Sequence, residues 1–271
     1  MSRQLPDFTQ PAVMGILNLT PDSFYDGGKY NDENDILRQV EKMLREGATI
    51  IDVGGMSSRP GAEFVAVEEE KRRVLPVLEA IAKRFPEAVI SVDTIRAAIA
   101  REAVELGASI INDISGGRFD KALIPEVGRL GVAYVLMHMQ GKPKTMQDAP
   151  QYTDVIQAVN RYFEQKIEEL HRAGVERIIL DPGFGFGKTI GQNYKILKNI
   201  AIFNKFGLPL LAGISRKSMI YRYLNIQPQE ALNGTTALHM VALLNGVKIL
   251  RVHDVKEAVE AVRLWKMLVE V

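Results

Sequence analysis

The stretch AVISVDTIRAAIAREAVELGASIINDI, from Ala88 to Ile114, is the most informative part of the sequence for the fold. It contains a short apolar run at Ala88–Val92, apolar residues at helical spacing over Ile95–Gly107, and a second apolar run at Ser109–Ile114. Apolar runs without polar alternation are typical of parallel strands that are covered on both faces. The stretch therefore predicts a strand–helix–strand unit of a parallel sheet.

The same unit repeats along the chain on both sides of this stretch. Eight short apolar runs are each followed by a segment of helical periodicity: Val13–Leu19, Thr49–Val53, Ala88–Val92, Ser109–Ile114, Val132–Met137, Arg177–Leu180, Leu208–Ile214 and Val247–Val252. Eight regular units in 271 residues predict one α/β domain over residues 1–271, a single (β/α)8 TIM barrel. The alternative is a doubly wound open sheet, but the regular units and the lack of an antiparallel pattern favour the closed barrel.

The composition excludes several classes of protein and site. The chain has 34 Lys and Arg residues against 33 Asp and Glu, a net charge of +1, which argues against a broad basic face for nucleic acid. It has no cysteine, which excludes thiolate nucleophiles, Cys-ligated metals and disulfides. No apolar stretch approaches the roughly 20 residues that span a membrane, and the polar start lacks a signal-peptide pattern. We expect a soluble cytoplasmic protein.

Polar residues stand at the end of every predicted strand, where barrel enzymes carry their active sites. They are Asn18, Asp93, Asn112, His138, Asp181, Lys217, Arg251 and His253. Asp52 lies inside an apolar run, so its residue type fits a functional site and a buried structural network equally well. Because so many polar side chains converge on one face, we expect the site there.

Other polar residues have simpler interpretations. Asp113 and Asp254 follow strands and are predicted to be helix caps. His138, between two methionines, fits a core histidine better than a functional one. His239 is predicted to be structural, and His171 to lie on the surface.

The glycine-rich segment Gly183–Thr189 resembles a phosphate-binding loop only superficially. The P-loop pattern requires glycine where this chain has Pro182, and the alternating glycines do not match the dinucleotide-binding spacing. These glycines instead allow the backbone to approach a ligand closely while Phe186 packs against it.

The strand-end residues predict two kinds of binding. A polar heterocycle with an amino-pyrimidine edge suits carboxylates, an amide and an ammonium, here Asp93, Asn112, Asp181 and Lys217. An anion suits the residues around strands 7, 8 and 1, here Asn18, Ser215–Ser218, Arg251 and His253. Together they indicate a heterocycle that carries a phosphorylated leaving group.

Seven ordered motifs resemble those of the dihydropteroate synthase family over essentially the full chain. They are Asn18–Phe24, Ser57–Gly61, Ser91–Thr94, Asn112–Gly117, Asp181–Gly187, Ser215–Ser218 and Arg251–His253. The resemblance implies a transferase that joins a dihydropterin diphosphate to para-aminobenzoate, releasing pyrophosphate, in folate synthesis. It also implies Mg²⁺ as cofactor and a homodimer.

The resemblance assigns a role to each matching residue. It places the pterin on Asp93, Asn112, Met137, Asp181, Gly185, Phe186 and Lys217. It places the diphosphate on Asn18, Arg251 and His253, with Mg²⁺ near Asn18. It places para-aminobenzoate, and sulfonamides, on Phe24, Ser58, Arg59, Pro60, Lys217 and Ser218. The catalytic residues would be Asp93, Lys217, Arg251 and His253.

Two positions depart from the family pattern. Many relatives have Glu and Thr where this chain has Met56 and Ser58, which puts sulfonamide affinity and loop closure in doubt. A pterin-dependent methyltransferase is an alternative, although it would not need the Ser215–Ser218 motif. A noncatalytic pterin-binding protein is another, although it would not need Arg251 and His253.

Overall fold

The computed structural model describes residues 5–19, 33–57, 63–142, 144–146 and 150–271. Strands and helices alternate along the chain, and the strands form a nearly closed (β/α)8 barrel, which confirms the predicted fold. The strands are β1 Ala12–Asn18, β2 Ile50–Gly54, β3 Val89–Asp93, β4 Ile110–Asp113, β5 Ala133–Met137, β6 Ile178–Asp181, β7 Leu211–Ala212 and β8 Ile249–Val252. The helices are α1 Glu33–Arg45, α2 Val67–Arg84, α3 Ala97–Glu105, α4 Leu123–Leu130, α5 Val155–Arg172, α6 Ile190–Lys198, α7 Ser218–Leu224, α8 Leu232–Leu244 and α9 Val255–Glu270.

The sheet is parallel in every described strand pair, in the order β6-β5-β4-β3-β2-β1-β8-β7. A parallel bridge between Leu180 and Leu210 joins the two ends of this order. β7 has two residues, fewer than the predicted run Leu208–Ile214. Pro209 has no backbone N–H to donate and contributes only its carbonyl, which accepts from the N–H of Leu180 at 2.9 Å.

The side chains that face the inside of the barrel are apolar near the amino ends of the strands and mostly polar near the carboxyl ends. Near the amino ends of the strands they form an apolar cluster that fills the barrel: Phe8, Ala12, Met14, Ile50, Val89, Ile110, Ala133, Val135, Ile179, Leu211 and Ile249. Two residues further along the same face they become polar: Asp52, Ser91, Asn112, Asp181 and Arg251. Because side chains alternate with period two, Asp52 shares the inner face with Ile50. The apolar half therefore supports a polar half at the carboxyl ends of the strands.

His239 on α8 is buried, and neither ring nitrogen has a partner among the described residues. Burial lowers its pKa from 6.5 to about 4. The unfolded chain takes up a proton as the pH falls below 6.5, whereas the folded chain does so only near pH 4. Stability contributed by the neutral ring is therefore lost over that range.

We expect His239→Leu to reduce this loss of stability in acid. The free energy of unfolding of the wild type should fall, relative to the variant, by about 3 kcal/mol between neutral pH and pH 4. Urea unfolding at several pH values measures it, with His171→Leu on the exposed face of α5 as the matched control. Parallel curves for wild type and His239→Leu would contradict the prediction.

Candidate active site

Asp52 is the centre of a buried hydrogen-bond network at the carboxyl ends of the strands. Its two carboxylate oxygens accept from the Ser91 hydroxyl at 2.6 Å, the Asn112 amide nitrogen at 3.0 Å and the Arg251 Nε at 2.6 Å. These partners come from β3, β4 and β8, so one carboxylate fixes side chains on three strands. Asn112 uses its amide nitrogen on Asp52, which leaves its carbonyl oxygen as an acceptor for a ligand.

Arg251 lies between two carboxylates. Its Nε donates to Asp52 and its Nη2 donates to Asp93 at 3.0 Å. Burial raises the pKa of Asp93 from 3.8 to about 7, even though Arg251 opposes the shift and Asp52 adds to it. Burial works against ionisation of Arg251, but Asp52 and Asp93 raise its pKa overall. The guanidinium is thus permanently charged and partly compensated, whereas Asp93 changes ionisation near neutral pH.

The loop after β6 is built by backbone contacts around Asp181. The Asp181 carboxylate accepts the Gly183 N–H at 2.7 Å, and burial raises the pKa of Asp181. The Gly185 N–H donates to the side chain of buried Asn193 at 2.8 Å. Because the Phe186 N–H also donates to the Gly183 carbonyl at 3.2 Å, Asp181 and Phe186 are joined by a compact turn.

Lys217 approaches this loop from the neighbouring loop, which follows β7. Its Nζ lies 4.3 Å from the centre of the Phe186 ring, a cation–π distance. A Cβ at Gly185 would lie 3.4 Å from the Lys217 Cδ, an ordinary contact distance, so it is the backbone φ of +82° that favours glycine there. Phe186 also packs with Met137 in an apolar cluster at the mouth. Lys217, Phe186 and Met137 thus lie together at the carboxyl ends of the strands.

Lys188 is a buried cation that the sequence analysis did not assign to the site. The residue is 2% exposed, and its Nζ donates to the carbonyls of His138 at 3.1 Å, Gly183 at 2.8 Å and Phe186 at 3.0 Å. Burial lowers its pKa from 10.5 to about 7, although the Asp181 charge opposes the shift. An ammonium has three donors, and all three are used to join the end of β5 to the glycine-rich loop.

We expect Lys188→Met to loosen the glycine-rich loop. The substitution leaves three buried carbonyls without their donor, which should lower the free energy of unfolding by about 2 kcal/mol. The Michaelis constant for the dihydropterin diphosphate that the resemblance implies as substrate should rise about tenfold, because Phe186 and Gly183 lose their common anchor. Steady-state kinetics and urea unfolding measure these effects, with Lys198→Met on the exposed face of α6 as the control. Unchanged pterin kinetics would contradict the assigned role.

The loops after β7 and β8 are joined by the Ser215 hydroxyl. It lies 3.0 Å from His253 Nδ1 and also accepts the His253 backbone N–H at 3.2 Å. Partial burial and then the charges of Arg251 and Arg216 lower the pKa of His253, so the ring is mainly neutral at pH 7. Positive charge at this mouth is therefore provided by Arg251 and Lys217 rather than by His253.

Asn18 ends β1 and pairs in register with Gly54. Its Oδ1 lies 3.8 Å from the position that a Cβ on Gly54 would take, and the Asp93 side chain lies beside the same position. The described residues include no group of three or more His, Asp or Glu that could hold a metal ion. One amide oxygen fits Mg²⁺ that arrives with a phosphorylated substrate, because Mg²⁺ keeps several waters and few protein ligands.

The structure brings together most of the predicted site residues. One set is linked through Asp52 and includes Asp93, Asn112 and Arg251. Another surrounds Phe186 and includes Met137 and Lys217. Ser218 begins α7, directly after Lys217. The predicted residues Phe24, Ser58, Arg59 and Pro60 lie outside the described residues.

Asp113 departs from its predicted role as a helix cap, whereas His138 agrees with its interpretation as a core histidine. Asp113 does not cap a helix; it accepts from the N–H groups of Ser115 and Gly117, each at 2.6 Å, and from the Tyr134 hydroxyl. His138 is buried with a strongly lowered pKa, as a core histidine would be. Met56 packs in the apolar cluster with Met137 and Phe186, so the departure from the family pattern adds apolar surface at the mouth.

Comparison with known proteins identifies the family. A family model described as "pterin binding enzyme" matches residues 14–253. The dihydropteroate synthase of Escherichia coli is 52% identical over 260 residues, which cover 95% of this chain and 92% of the relative. That of Haemophilus influenzae is 45% identical over 262 residues, covering 96% and 94%.

Solved structures agree with the sequence relatives. The Yersinia pestis dihydropteroate synthase in complex with a sulfonamide drug has a TM-score of 0.94 and 44% identity, covering 100% of this chain and 99% of that chain. The Xanthomonas albilineans dihydropteroate synthase with 4-aminobenzoic acid has a TM-score of 0.91 and 39% identity, covering 97% and 95%. The chain therefore belongs to the pterin-binding enzyme family and, within it, to the dihydropteroate synthases, which are transferases.

Proposed function

We propose that this enzyme condenses 6-hydroxymethyl-7,8-dihydropterin diphosphate with para-aminobenzoate, giving 7,8-dihydropteroate and pyrophosphate for folate synthesis. The observation that carries the proposal is the juxtaposition of two buried carboxylates and an amide with a guanidinium, all at one barrel mouth. The relative that binds 4-aminobenzoic acid supports the second substrate. The site thus offers acceptors for a heterocycle and a cation for its leaving group.

The pterin ring would bind between the two sets of site residues. Asp181 and the Asn112 carbonyl oxygen would accept its N–H groups, and Lys217 would donate to a ring carbonyl or nitrogen. Phe186 and Met137 would cover its faces. Because these side chains are already held by the protein, binding requires little reorganisation.

The diphosphate would bind beside the pterin, near Arg251. The Nε and Nη2 of Arg251 are used by Asp52 and Asp93, and none of the described residues accepts from Nη1. Nη1 can therefore donate to a phosphate oxygen without breaking either ion pair, with the neutral His253 beside it. Mg²⁺ bound through Asn18 would supply further neutralisation of the leaving group.

We propose a dissociative substitution. The bond between the pterin methylene carbon and the diphosphate oxygen breaks first, and its electron pair leaves with the diphosphate. The cation left on the pterin is opposed by Asp93, whose ionised form is favoured as positive charge develops next to it. The para-aminobenzoate nitrogen then forms the new carbon–nitrogen bond and loses a proton.

The second substrate would lie towards α7 and the loops that follow β1 and β2. Ser218 would donate to the benzoate carboxylate, and Lys217 would form one wall. Phe24, Ser58, Arg59 and Pro60 complete this site in the resemblance, and the Yersinia pestis relative solved in complex with a sulfonamide drug supports sulfonamide binding by this enzyme.

The proposed homodimer has support from the outer surface of the barrel. Exposed apolar side chains lie on neighbouring helices, Tyr223 and Leu224 on α7 and Val241 and Leu244 on α8. Such a patch is typical of a protein interface. The described helices include none that is long and apolar enough to span a membrane. We propose that the enzyme is a dimer, which light scattering of the purified protein tests. We also propose that it acts in the cytoplasm.

The decisive test of the function is release of pyrophosphate from the pterin diphosphate, with and without para-aminobenzoate. We expect release that depends on para-aminobenzoate and is inhibited by a sulfonamide. Lys217→Ala should abolish turnover and weaken pterin binding. Folded, dimeric protein that releases no pyrophosphate in the presence of both substrates would refute the proposal.

A further inference from the structure

Arg216 stands between two residues of the proposed site and has an unusual backbone conformation. Its φ is +53°, in the left-handed region that side chains other than glycine rarely adopt. Its N–H donates to the hydroxyl of buried Thr235 on α8 at 3.2 Å. A conformation of this kind persists only where surrounding contacts impose it, and such residues cluster at functional sites.

The side chain of Arg216 forms an ion pair with Asp254. Arg216 donates through two guanidinium nitrogens to the two carboxylate oxygens of Asp254, with Nε at 2.9 Å from Oδ2. Asp254 holds the N-cap position of α9, but its side chain accepts no capping hydrogen bond. The carboxylate therefore does not make the capping hydrogen bond predicted for it. It binds Arg216 on the loop after β7 instead.

The ion pair and the Ser215–His253 contacts join the same two loops. The loop after β7 carries Arg216 and, directly after it, Lys217. The loop after β8 carries His253 and, directly after it, Asp254. Four hydrogen bonds therefore cross between the loop with the pterin-facing lysine and the loop with the diphosphate-facing histidine.

We propose that the Arg216–Asp254 pair is a positioning element for the reaction, which fixes Lys217 and His253 relative to one another. The inference rests on the proposed function. A planar guanidinium bound through two nitrogens resists both rotation and sliding, as a single contact would not. The pair ties the loop that carries Lys217, whose Nζ lies 4.3 Å from the centre of the Phe186 ring, to the loop that carries His253.

The test compares Arg216→Ala, Asp254→Asn and the double variant in steady-state kinetics. Asparagine keeps the ability to cap α9, so Asp254→Asn removes the charge pair without removing a helix-capping residue. We expect kcat to fall roughly 10- to 100-fold in each single variant and no further in the double variant, because both lose the same contact. Lys205→Ala, which removes a surface ion pair with Glu164 at 2.9 Å, is the control.

A purely structural role is distinguished by two further measurements. Arg216→Gly relieves the backbone strain, so it should melt at a higher temperature than Arg216→Ala while keeping the same kinetic defect. Guanidinium ion in the low millimolar range should partly restore kcat to Arg216→Ala but not to the double variant. Additive losses in the double variant, or recovery of kcat in Arg216→Gly, would overturn the proposal. Failure of the wild type to release pyrophosphate would instead overturn the proposed function.

Discussion

Replacing Arg251 by methionine should lower turnover by about 100- to 1,000-fold and destabilise the folded protein at neutral pH. The substitution removes the donor to a leaving diphosphate. It also leaves Asp52 and Asp93, which Arg251 now contacts at 2.6 Å and 3.0 Å, buried without their counter-charge. Breaking a buried ion pair by removing one partner typically costs about 3–5 kcal/mol.

The destabilisation caused by Arg251→Met should depend on pH, because Asp93 titrates near neutral pH in the folded protein. In the wild type the pKa of Asp93 is raised to about 7 in the folded state, above its ordinary value of 3.8, so its contribution to stability is lost as the pH rises to about 7. Without Arg251 the folded pKa rises further, and the loss continues at higher pH. In urea unfolding from about pH 6 to about pH 9, the free energy of unfolding of the variant should therefore fall progressively further below that of the wild type.

The double variant Arg251→Met/Asp93→Asn separates stability from catalysis. Removing the Asp93 charge should restore much of the stability, because an amide costs far less to bury than an unpaired carboxylate. Turnover should stay low, since both the cation for the leaving group and the charge opposite the pterin are missing. Turnover within about threefold of wild type in Arg251→Met would contradict the role assigned to Arg251.

The barrel and the candidate site residues were predictable because both depend on local pattern. Each strand has an apolar run, and each polar residue that follows lies at the same end of the barrel once the strands are parallel. The sequence leaves Asp52 open between a functional site and a buried structural network, and it does not identify the members of the network. The Asp52 partner Arg251 is 199 residues away in sequence, and nothing near Asp52 indicates it.

Local rules were least successful where a distant partner competes for the same side chain. Asp254 has the residue type and position of a helix cap, but Arg216, 38 residues earlier, takes its carboxylate. Lys188 was assigned no role from the sequence, but it is buried and donates to three backbone carbonyls around the glycine-rich loop. In both cases the role suggested by the neighbouring sequence is wrong or missing, and the side chain instead makes a long-range contact that connects loops at the site.

Gly183→Ala should have the largest effect on stability of any glycine substitution in the loop after β6. Gly183 has a φ of +70°, and a Cβ there would lie 2.0 Å from the carbonyl oxygen of His138, a backbone atom that cannot move without displacing β5. The same carbonyl accepts from Lys188, and the Gly183 N–H donates to Asp181. We expect a loss of more than about 3 kcal/mol in the free energy of unfolding, from strain and overpacking together.

Two other glycines separate the causes of this loss. Gly174 has a φ of +82° with nothing within 4 Å of the added Cβ, so Gly174→Ala measures the backbone strain alone, about 1 kcal/mol. Gly191 in α6 has open space and an ordinary φ, so Gly191→Ala should be neutral or stabilising. Pterin binding should weaken in Gly183→Ala and remain unchanged in both controls, because only Gly183 connects the Asp181 carboxylate to the wall that carries Phe186. If Gly183→Ala were no less stable than Gly174→Ala, the close packing of this loop against β5 would not be what holds the pterin wall in place.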